Sequence, residues 1–188
     1  MREGGGIASP RCAITLATHP PRAGERVLDV GCGSFETTFD LARLVGPRGI
    51  VVGLDGCVTS PPAAVREARA RAPANASITS GDVCAHRFEH AFDRVFVRLM
   101  THCFSDPRPA LESLRAALRP GGWLVVLTYP PERASACGPS PFASADPEIV
   151  RSIVESAGYD EGAIDATIAP RGTGMPSRGW YLTARRPP

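Results

Sequence analysis

The chain has 188 residues, of which 43% are hydrophobic and 21% are charged, a composition that fits one globular domain with its own core. Its 21 basic and 19 acidic side chains leave a formal charge of +2, which argues against a general nucleic-acid or membrane-surface binder. All 21 basic residues are arginine, so Schiff-base or general-base chemistry by a lysine of this chain is excluded.

Residues 1–24 contain several glycines and prolines without a sustained hydrophobic period, a pattern that indicates an irregular N-terminal arm. From residue 25 onward, short apolar runs alternate with helix-like segments, so we expect one domain over residues 25–188. The apolar runs predict strands at residues 27–30, 50–55, 77–83, 94–99, 123–129, 163–169 and 180–184.

The segments between these strands predict helices at residues 35–45, 63–72, 107–118 and 147–157. Asp106-Pro107 and Asp146-Pro147 each supply a start signal, because Asp accepts from unpaired amides and Pro fits the first helical position. We expect Gly158 to end the last of these helices as a left-handed cap.

Alternation of compact apolar strands with helices predicts an α/β fold, specifically a Rossmann-like, doubly wound and mostly parallel seven-stranded sheet. The last two strands have no helix between them, only a Gly/Pro-rich loop at residues 170–179. We therefore expect them to form an antiparallel C-terminal hairpin at the edge of the sheet.

The cysteine pattern and the apolar runs bear on localisation. No CxxC pair occurs among the six cysteines, so we expect reduced thiols and a cytoplasmic protein. The N-terminus lacks a signal-peptide pattern, and the longest apolar run, Trp123 to Leu127, is too short to span a bilayer. We expect no membrane and no nucleic-acid partner, and we take a homodimer as the candidate assembly.

Acidic residues and glycines fall at the carboxyl ends of three successive predicted strands, where doubly wound sheets bind their ligands. Asp29 lies in the first strand and is followed by the turn Gly31-Cys32-Gly33, where glycines let the backbone approach a ligand closely. Asp55 ends the second strand, where a carboxylate can accept from both hydroxyls of a ribose. Asp82 ends the third, where its carboxylate and the backbone N–H of Val83 can read an adenine edge.

These segments resemble, in the correct order, the motifs of class I S-adenosylmethionine (SAM) dependent methyltransferases. The similar segments are Val27-Leu28-Asp29-Val30-Gly31-Cys32-Gly33, Gly53-Leu54-Asp55, Ser80-Gly81-Asp82-Val83, Phe92-Asp93-Arg94-Val95, Leu118-Arg119-Pro120-Gly121-Gly122-Trp123-Leu124 and the tail Gly179-Trp180-Tyr181-Leu182-Thr183-Ala184-Arg185. Within this family, the chain is most similar to the quinone-biosynthesis-like branch that acts on small molecules.

The resemblance implies SAM as the cofactor and transfer of its methyl group to an O, N or C atom of a small molecule. It implies a cofactor site made by Asp29, Gly31, Cys32, Gly33, Asp55, Gly56, Asp82, Val83 and Arg98. In this site the glycine turn would line the methionine part, Asp55 the ribose and Asp82 the adenine. Asp29 would anchor the methionine amino group, directly or through water.

The sequence departs from the family pattern in three places. Phe35 stands where the family usually has a third glycine, and Gly56-Cys57 stands where a small polar residue is frequent. The arm before the first strand is also shorter than the helical region that commonly covers the substrate. These departures motivate an alternative: a SAM-fold binding or regulatory protein without turnover.

Another alternative is an NAD-dependent oxidoreductase, since a glycine turn after a strand also occurs in dinucleotide-binding proteins. That fingerprint requires a third glycine to let helix and strand pack closely, and the residue at this position is Glu36. The oxidoreductase therefore ranks below the methyltransferase.

A zinc site is a third interpretation, because Cys84, His86 and His90 are close in sequence and His102-Cys103 would complete a ligand set. No second pair has ligand spacing, so an unligated, solvated loop is favoured and we expect no metal.

His102 and Arg98 fall at or just after the fourth predicted strand, near the expected position of the transferable methyl group. His102 is the candidate catalytic residue, as a general base for an acceptor hydroxyl or amine, with a surface histidine as the plainer interpretation. Arg98 either steers an acidic substrate or pairs with a neighbouring carboxylate, and we favour the pairing.

Overall fold

The structure is a computed structural model that describes residues 19–33, 35–56, 62–88, 91–98, 104, 106–128, 147–167 and 179–188. The predicted general base, His102, and the zinc candidate His90 lie outside the described residues. So does most of the predicted arm, and its boundary with the domain stays a prediction.

Seven strands and four helices make up the described part of the chain. The strands are β1 (Arg26–Val30), β2 (Ile50–Asp55), β3 (Ala76–Ser80), β4 (Phe92–Arg98), β5 (Leu118–Thr128), β6 (Asp160–Thr167) and β7 (Gly179–Arg185). The helices are α1 (Glu36–Val45), α2 (Pro62–Ala70), α3 (Arg108–Ala117) and α4 (Pro147–Ser156). None of these helices is long and apolar enough to cross a membrane.

The strands form one sheet in the order β3-β2-β1-β4-β5-β7-β6. The pairs β1–β2, β2–β3, β1–β4 and β4–β5 are parallel, whereas β7 runs antiparallel to both β5 and β6. The predicted mostly parallel α/β sheet with an antiparallel C-terminal pair is confirmed. The chain runs outward from β1 through β3 and then returns to β4, so the strand order reverses between β1 and β4.

The core packs on both faces of this sheet, because buried parallel strands carry apolar side chains on both sides. On one face, Leu28 and Val30 of β1 lie in a cluster with Leu111 and Leu114 of α3 and Val154 of α4.

On the opposite face, Val27 and Val51 pack with Leu41 and Val45 of α1. Asp29 is two residues after Val27 and therefore lies on the α1 face, where it is fully buried.

Most element boundaries differ somewhat from the sequence-based prediction, and two of the differences concern segments that were singled out in the sequence. Strand β3 ends at Ser80, so Asp82 and Val83 lie in the turn beyond it rather than in the strand. Strand β5 begins at Leu118, directly after α3, whereas the predicted strand begins at residue 123, so β5 also includes Pro120-Gly121-Gly122. Leu118 pairs with Phe92 before the ladder shifts register, and this pairing holds the segment against β4.

Candidate cofactor-binding site

The turn after β1 is held against the end of β2 by backbone hydrogen bonds. The N–H groups of Gly31 and Cys32 donate to the carbonyl of Leu54 at 2.8 and 3.4 Å. Gly31 has φ 77° and Gly33 has φ 51°, a left-handed conformation that glycine adopts without steric cost. The two glycines therefore let the chain turn sharply at the point where strand order reverses.

Asp55 joins three strand ends. Its Oδ2 accepts a hydrogen bond from the N–H of Gly33 at 2.8 Å. Its backbone carbonyl accepts from the N–H of Gly81, in the turn after β3, at 3.1 Å. The side chain is buried, with 8% of its surface exposed. A carboxylate held in this way by a backbone donor is fixed in position, and its oxygens are the type of acceptor that suits hydroxyl groups of a ligand.

Two glycines near this junction have different physical roles. At Gly53, an added Cβ would lie 3.0 Å from Sγ of Cys32 and 3.0 Å from Oγ1 of Thr38, so the absence of a side chain lets the turn and α1 pack closely against β2. At Gly33, the nearest described heavy atom to an added Cβ is the carbonyl oxygen of Gly31 at 4.0 Å. The described residues therefore leave open space beside Gly33, where a ligand can approach the backbone.

The turn after β3 is organised by Asp82. Its exposed carboxylate accepts from the N–H of Cys84 at 2.9 Å, and its carbonyl accepts from the N–H of His86 at 2.9 Å. The imidazole of His86 packs behind Gly81, where an added Cβ would lie 2.9 Å from Nδ1. Val83 is buried. The acidic side chain thus stands at the solvent side of a compact turn, next to the end of β2.

Asp29 and Arg98 form a buried ion pair between β1 and β4. Oδ1 of Asp29 accepts from Nε of Arg98 at 3.1 Å and from Nη2 at 2.9 Å, and Oδ2 accepts from Nη2 at 3.2 Å. Oδ2 also accepts from the hydroxyl of Thr38 in α1 at 2.7 Å. The favoured prediction, that Arg98 pairs with a neighbouring carboxylate, agrees with this geometry.

Cys32 lies in the glycine turn with its thiol buried. Burial, followed by the charges of Asp29 and Asp55, raises the pKa of this thiol to about 12. The thiolate is the nucleophilic form of cysteine, so Cys32 is an inert packing group at neutral pH.

Phe35 adopts an unusual backbone conformation at the start of α1. Its φ is 68°, and it is the only non-glycine residue with positive φ in the part of the chain that the structure describes. Its side chain is fully buried, together with Cys32 and Phe39, against Val65 of α2 and Ile78 of β3. The benzyl group thus belongs to an apolar cluster between α1, α2 and β3, while the backbone takes the shape that a third glycine would take.

The structure brings most of the predicted site residues to one edge of the sheet. The glycine turn, Asp55 with Gly56, and the Asp82 turn lie at neighbouring strand ends, and Arg98 ends β4. Among the described residues there is no group of three potential metal ligands. Thr38 was missed from the sequence, although it stands at helical spacing with Leu41, Ala42 and Val45, and a polar residue on such an apolar face is a usable signal.

Comparisons with known proteins agree with this architecture. Demethylmenaquinone methyltransferase of Staphylococcus carnosus is 32% identical over 107 residues, which cover 56% of this chain and 44% of that protein. The chain thus spans less than half the length of the curated relatives that it matches.

Three solved structures share the fold. Phosphoethanolamine N-methyltransferase 2 of Haemonchus contortus, in complex with SAM, matches with a TM-score of 0.75 and 17% identity over 95% of this chain and 52% of that one. A SAM-dependent methyltransferase from Aquifex aeolicus matches with a TM-score of 0.69 and 21% identity over 87% and 83% of the two chains. The structure of a Haloferax volcanii complex between the Trm112 methyltransferase activator and a methyltransferase matches with a TM-score of 0.76 and 22% identity. This match covers 96% of this chain and 90% of that one.

The model of a methyltransferase domain family matches residues 21–158, which is more than half of the chain. The matched range contains β1 to β5 and the whole glycine-turn junction. By this match, the chain belongs to the methyltransferase domain family.

Proposed function

We propose that this protein binds SAM across the carboxyl ends of β1, β2 and β3 and transfers its methyl group to an O, N or C atom of a small molecule. The observation that carries the proposal is the hydrogen bond from the N–H of Gly33 to Oδ2 of Asp55. It fixes a glycine turn beside a buried carboxylate where the strand order reverses, which is where open α/β sheets bind nucleotide-like ligands. Membership of the methyltransferase domain family and the SAM complex of a protein with the same fold support this choice of ligand.

The residues present fit the parts of SAM. In this proposal, Asp55 accepts from the ribose hydroxyls, with Gly56 beside it, and Asp82 and the N–H of Val83 face the adenine edge. Gly31, Cys32 and Gly33 line the methionine part, and the open space beside Gly33 admits the ligand. Arg98 stands at the methionine end, at the end of β4.

Bound SAM supplies a methyl group that is already activated by the positive sulfur. The protein's contribution is to hold the acceptor in line with that methyl group and to exclude water. Positioning of this kind can lower a barrier by roughly 7–11 kcal/mol, so neither a metal nor a catalytic triad is needed. We assign His102 as the general base for acceptors that must lose a proton.

We propose phenols and quinols as the acceptor class, because the curated relatives are demethylmenaquinone methyltransferases. From the sequence alone, we further propose a cytoplasmic homodimer in which residues 25–188 form the domain and residues 1–24 an arm.

The test is transfer of a labelled methyl group from SAM to a panel of phenols and quinols, by the wild type and by Asp55→Ala. We expect product with at least one acceptor and a loss of rate in the variant at limiting SAM. SAM binding without transfer to any acceptor would favour the alternative of a binding or regulatory protein. A preference for NAD over SAM would favour the oxidoreductase.

A further inference from the structure

Resting on the proposed SAM site, we propose that Arg98, not Asp29, contacts the amino-acid end of the cofactor and holds its α-carboxylate. In this assignment, Nη1 of Arg98 donates to the α-carboxylate of the cofactor. Asp29 is a positioning residue that holds the guanidinium through Nε and Nη2. This reverses the expectation from the sequence, in which Asp29 anchors the methionine amino group.

The strand order brings the amino-acid end of the cofactor to Arg98. The sheet runs β3-β2-β1-β4, and the proposed adenine and ribose contacts lie at the ends of β3 and β2. A ligand held at these two ends extends its remaining part over the turn after β1 toward β4. Arg98 is the last residue of β4, so its side chain lies at the edge that this extension reaches.

The hydrogen bonds of Asp29 fill its acceptor capacity. An ionised carboxylate has about four lone-pair sites. Arg98 donates three hydrogen bonds to the Asp29 carboxylate, and the Thr38 hydroxyl donates a fourth. Asp29 is also fully buried. A methionine ammonium group would have to displace one of these donors, so Asp29 is a poor ligand for it.

Arg98 has donor capacity left over. Its Nε and Nη2 are used by Asp29, while Nη1 makes no hydrogen bond within the described part of the chain. A guanidinium is a planar set of donors that suits carboxylates, and Asp29 fixes its plane. The side chain of Arg98 is buried, with 7% exposed, so its orientation is held by its surroundings. Nη1 is therefore a hydrogen-bond donor whose orientation is already fixed before a ligand carboxylate binds.

The charges of Asp29 and Arg98 also favour a ligand carboxylate over a ligand ammonium group. Asp29 and Arg98 neutralise each other, so the buried pair offers no net negative charge to attract an ammonium group. The guanidinium edge that faces away from Asp29 still carries positive charge and N–H donors. A carboxylate at this edge gains charge-assisted hydrogen bonds without leaving any buried group of the pair unpaired.

A ligand series on the wild-type protein tests the proposal without any substitution. Calorimetric titration compares S-adenosylhomocysteine (SAH) with its decarboxylated and its deaminated analogues. We expect decarboxylation to weaken binding roughly tenfold to a hundredfold, the worth of hydrogen bonds to a charged group, and deamination to weaken it far less. A larger loss on deamination than on decarboxylation would overturn the proposal and return the role to Asp29.

A substitution of Arg98 then tests whether the affinity contributed by the ligand carboxylate depends on this residue. Arg98→Gln should weaken SAH binding by the same factor as decarboxylation does in the wild type, and should leave binding of the decarboxylated analogue unchanged. Because this variant leaves Asp29 buried without its charge partner, the double variant Asp29→Asn/Arg98→Gln provides a neutral pair for the same measurement. Equal losses for SAH and its decarboxylated analogue in the double variant would contradict a contact between Arg98 and the carboxylate.

Failure of this inference is distinguishable from failure of the proposed function. Methylthioadenosine, which lacks the amino-acid end, probes the adenosine contacts alone. If it and SAH bind but loss of the carboxylate has no effect, only the role of Arg98 is wrong. If neither binds to folded protein, the SAM site itself is wrong, and the inference fails with it.

Discussion

The backbone N–H of Gly33 lies 2.8 Å from Oδ2 of Asp55, and this hydrogen bond links two strand ends that are remote in sequence. Gly33 can donate in this direction because its φ of 51° turns the chain back toward β2. The same carboxylate faces the edge of the sheet at which the strand order reverses. The glycine turn and the carboxylate to which we assign the ribose hydroxyls are thus built as one unit.

Loss of Asp29 should strongly destabilise the fold. Asp29→Ala leaves the buried guanidinium of Arg98 without its charge partner, which costs about 3–5 kcal/mol of unfolding free energy. Urea denaturation measures the loss. The exposed pair Glu67–Arg71 on α2 provides the control, since Glu67→Ala should change stability by only about 0.5 kcal/mol or less. Equal effects of the two substitutions would show that the Asp29–Arg98 pair is not buried as described.

At position 35, a glycine variant should be more stable than an alanine variant, which is the reverse of the usual order within helices. Both Phe35→Ala and Phe35→Gly lose the packing of the benzyl group, about 3–5 kcal/mol. Only glycine also removes the cost of the left-handed backbone at φ 68°, about 1–2 kcal/mol. We therefore expect Phe35→Gly to be the more stable of the two variants in chemical denaturation. An alanine variant more stable than the glycine variant would contradict the left-handed conformation.

The thiol of Cys32 should make the fold sensitive to alkaline pH. Its folded pKa of about 12 lies above that of an unfolded cysteine, about 8.5, so the unfolded chain loses this proton first. Between these pH values the unfolded state binds fewer protons than the native state, and the unfolding free energy falls as the pH rises.

Cys32→Ala is the variant that isolates this effect. It should reduce the slope of unfolding free energy against pH between about 8.5 and 11. Burial also raises the pKa of Tyr159, so part of the slope should persist in the variant. An unchanged slope in Cys32→Ala would mean that the thiol ionises as readily in the native protein as in the unfolded chain.

Gly53 should not tolerate a methyl group. The added Cβ of Gly53→Ala meets Sγ of Cys32 and Oγ1 of Thr38 at 3.0 Å, which should cost about 1–3 kcal/mol of stability. Gly56→Ala is the matched control, because the nearest described atom to its added Cβ is the carbonyl oxygen of Gly81 at 3.5 Å, an ordinary distance. Thermal unfolding of both variants should separate them by several degrees. A Gly53→Ala variant as stable as Gly56→Ala would contradict the close approach of α1 to β2.

Contacts at the strand ends could be predicted from the sequence where the reason was local. The carboxyl ends of parallel strands share one edge of a sheet, so the sequence predicts that Asp55 and the glycine turn lie together, and the hydrogen bond between Gly33 and Asp55 agrees. The prediction that Asp82 ends the third strand was wrong, because the turn of residues 81–86 is closed by hydrogen bonds of Asp82 that a hydrophobic pattern does not encode.

The remaining features depend on contacts between elements. The pairing of Asp29 with Arg98 joins residues 69 apart in the chain and requires β1 to lie beside β4. The conformation of Phe35 is set by the apolar cluster that receives its side chain, and the need for glycine at position 53 is set by α1 crossing β2. The partners in these contacts cannot be identified from a short window of sequence.

The most direct test of the central claim is calorimetric titration of the purified protein with SAM and SAH, with Asp55→Ala as the binding-site variant and Glu67→Ala as the surface control. We predict saturable, micromolar binding of both ligands by the wild type and by Glu67→Ala, and its loss in Asp55→Ala. Folded wild-type protein that binds neither ligand, or binding that survives unchanged in Asp55→Ala, would contradict a SAM site at the ends of β1, β2 and β3.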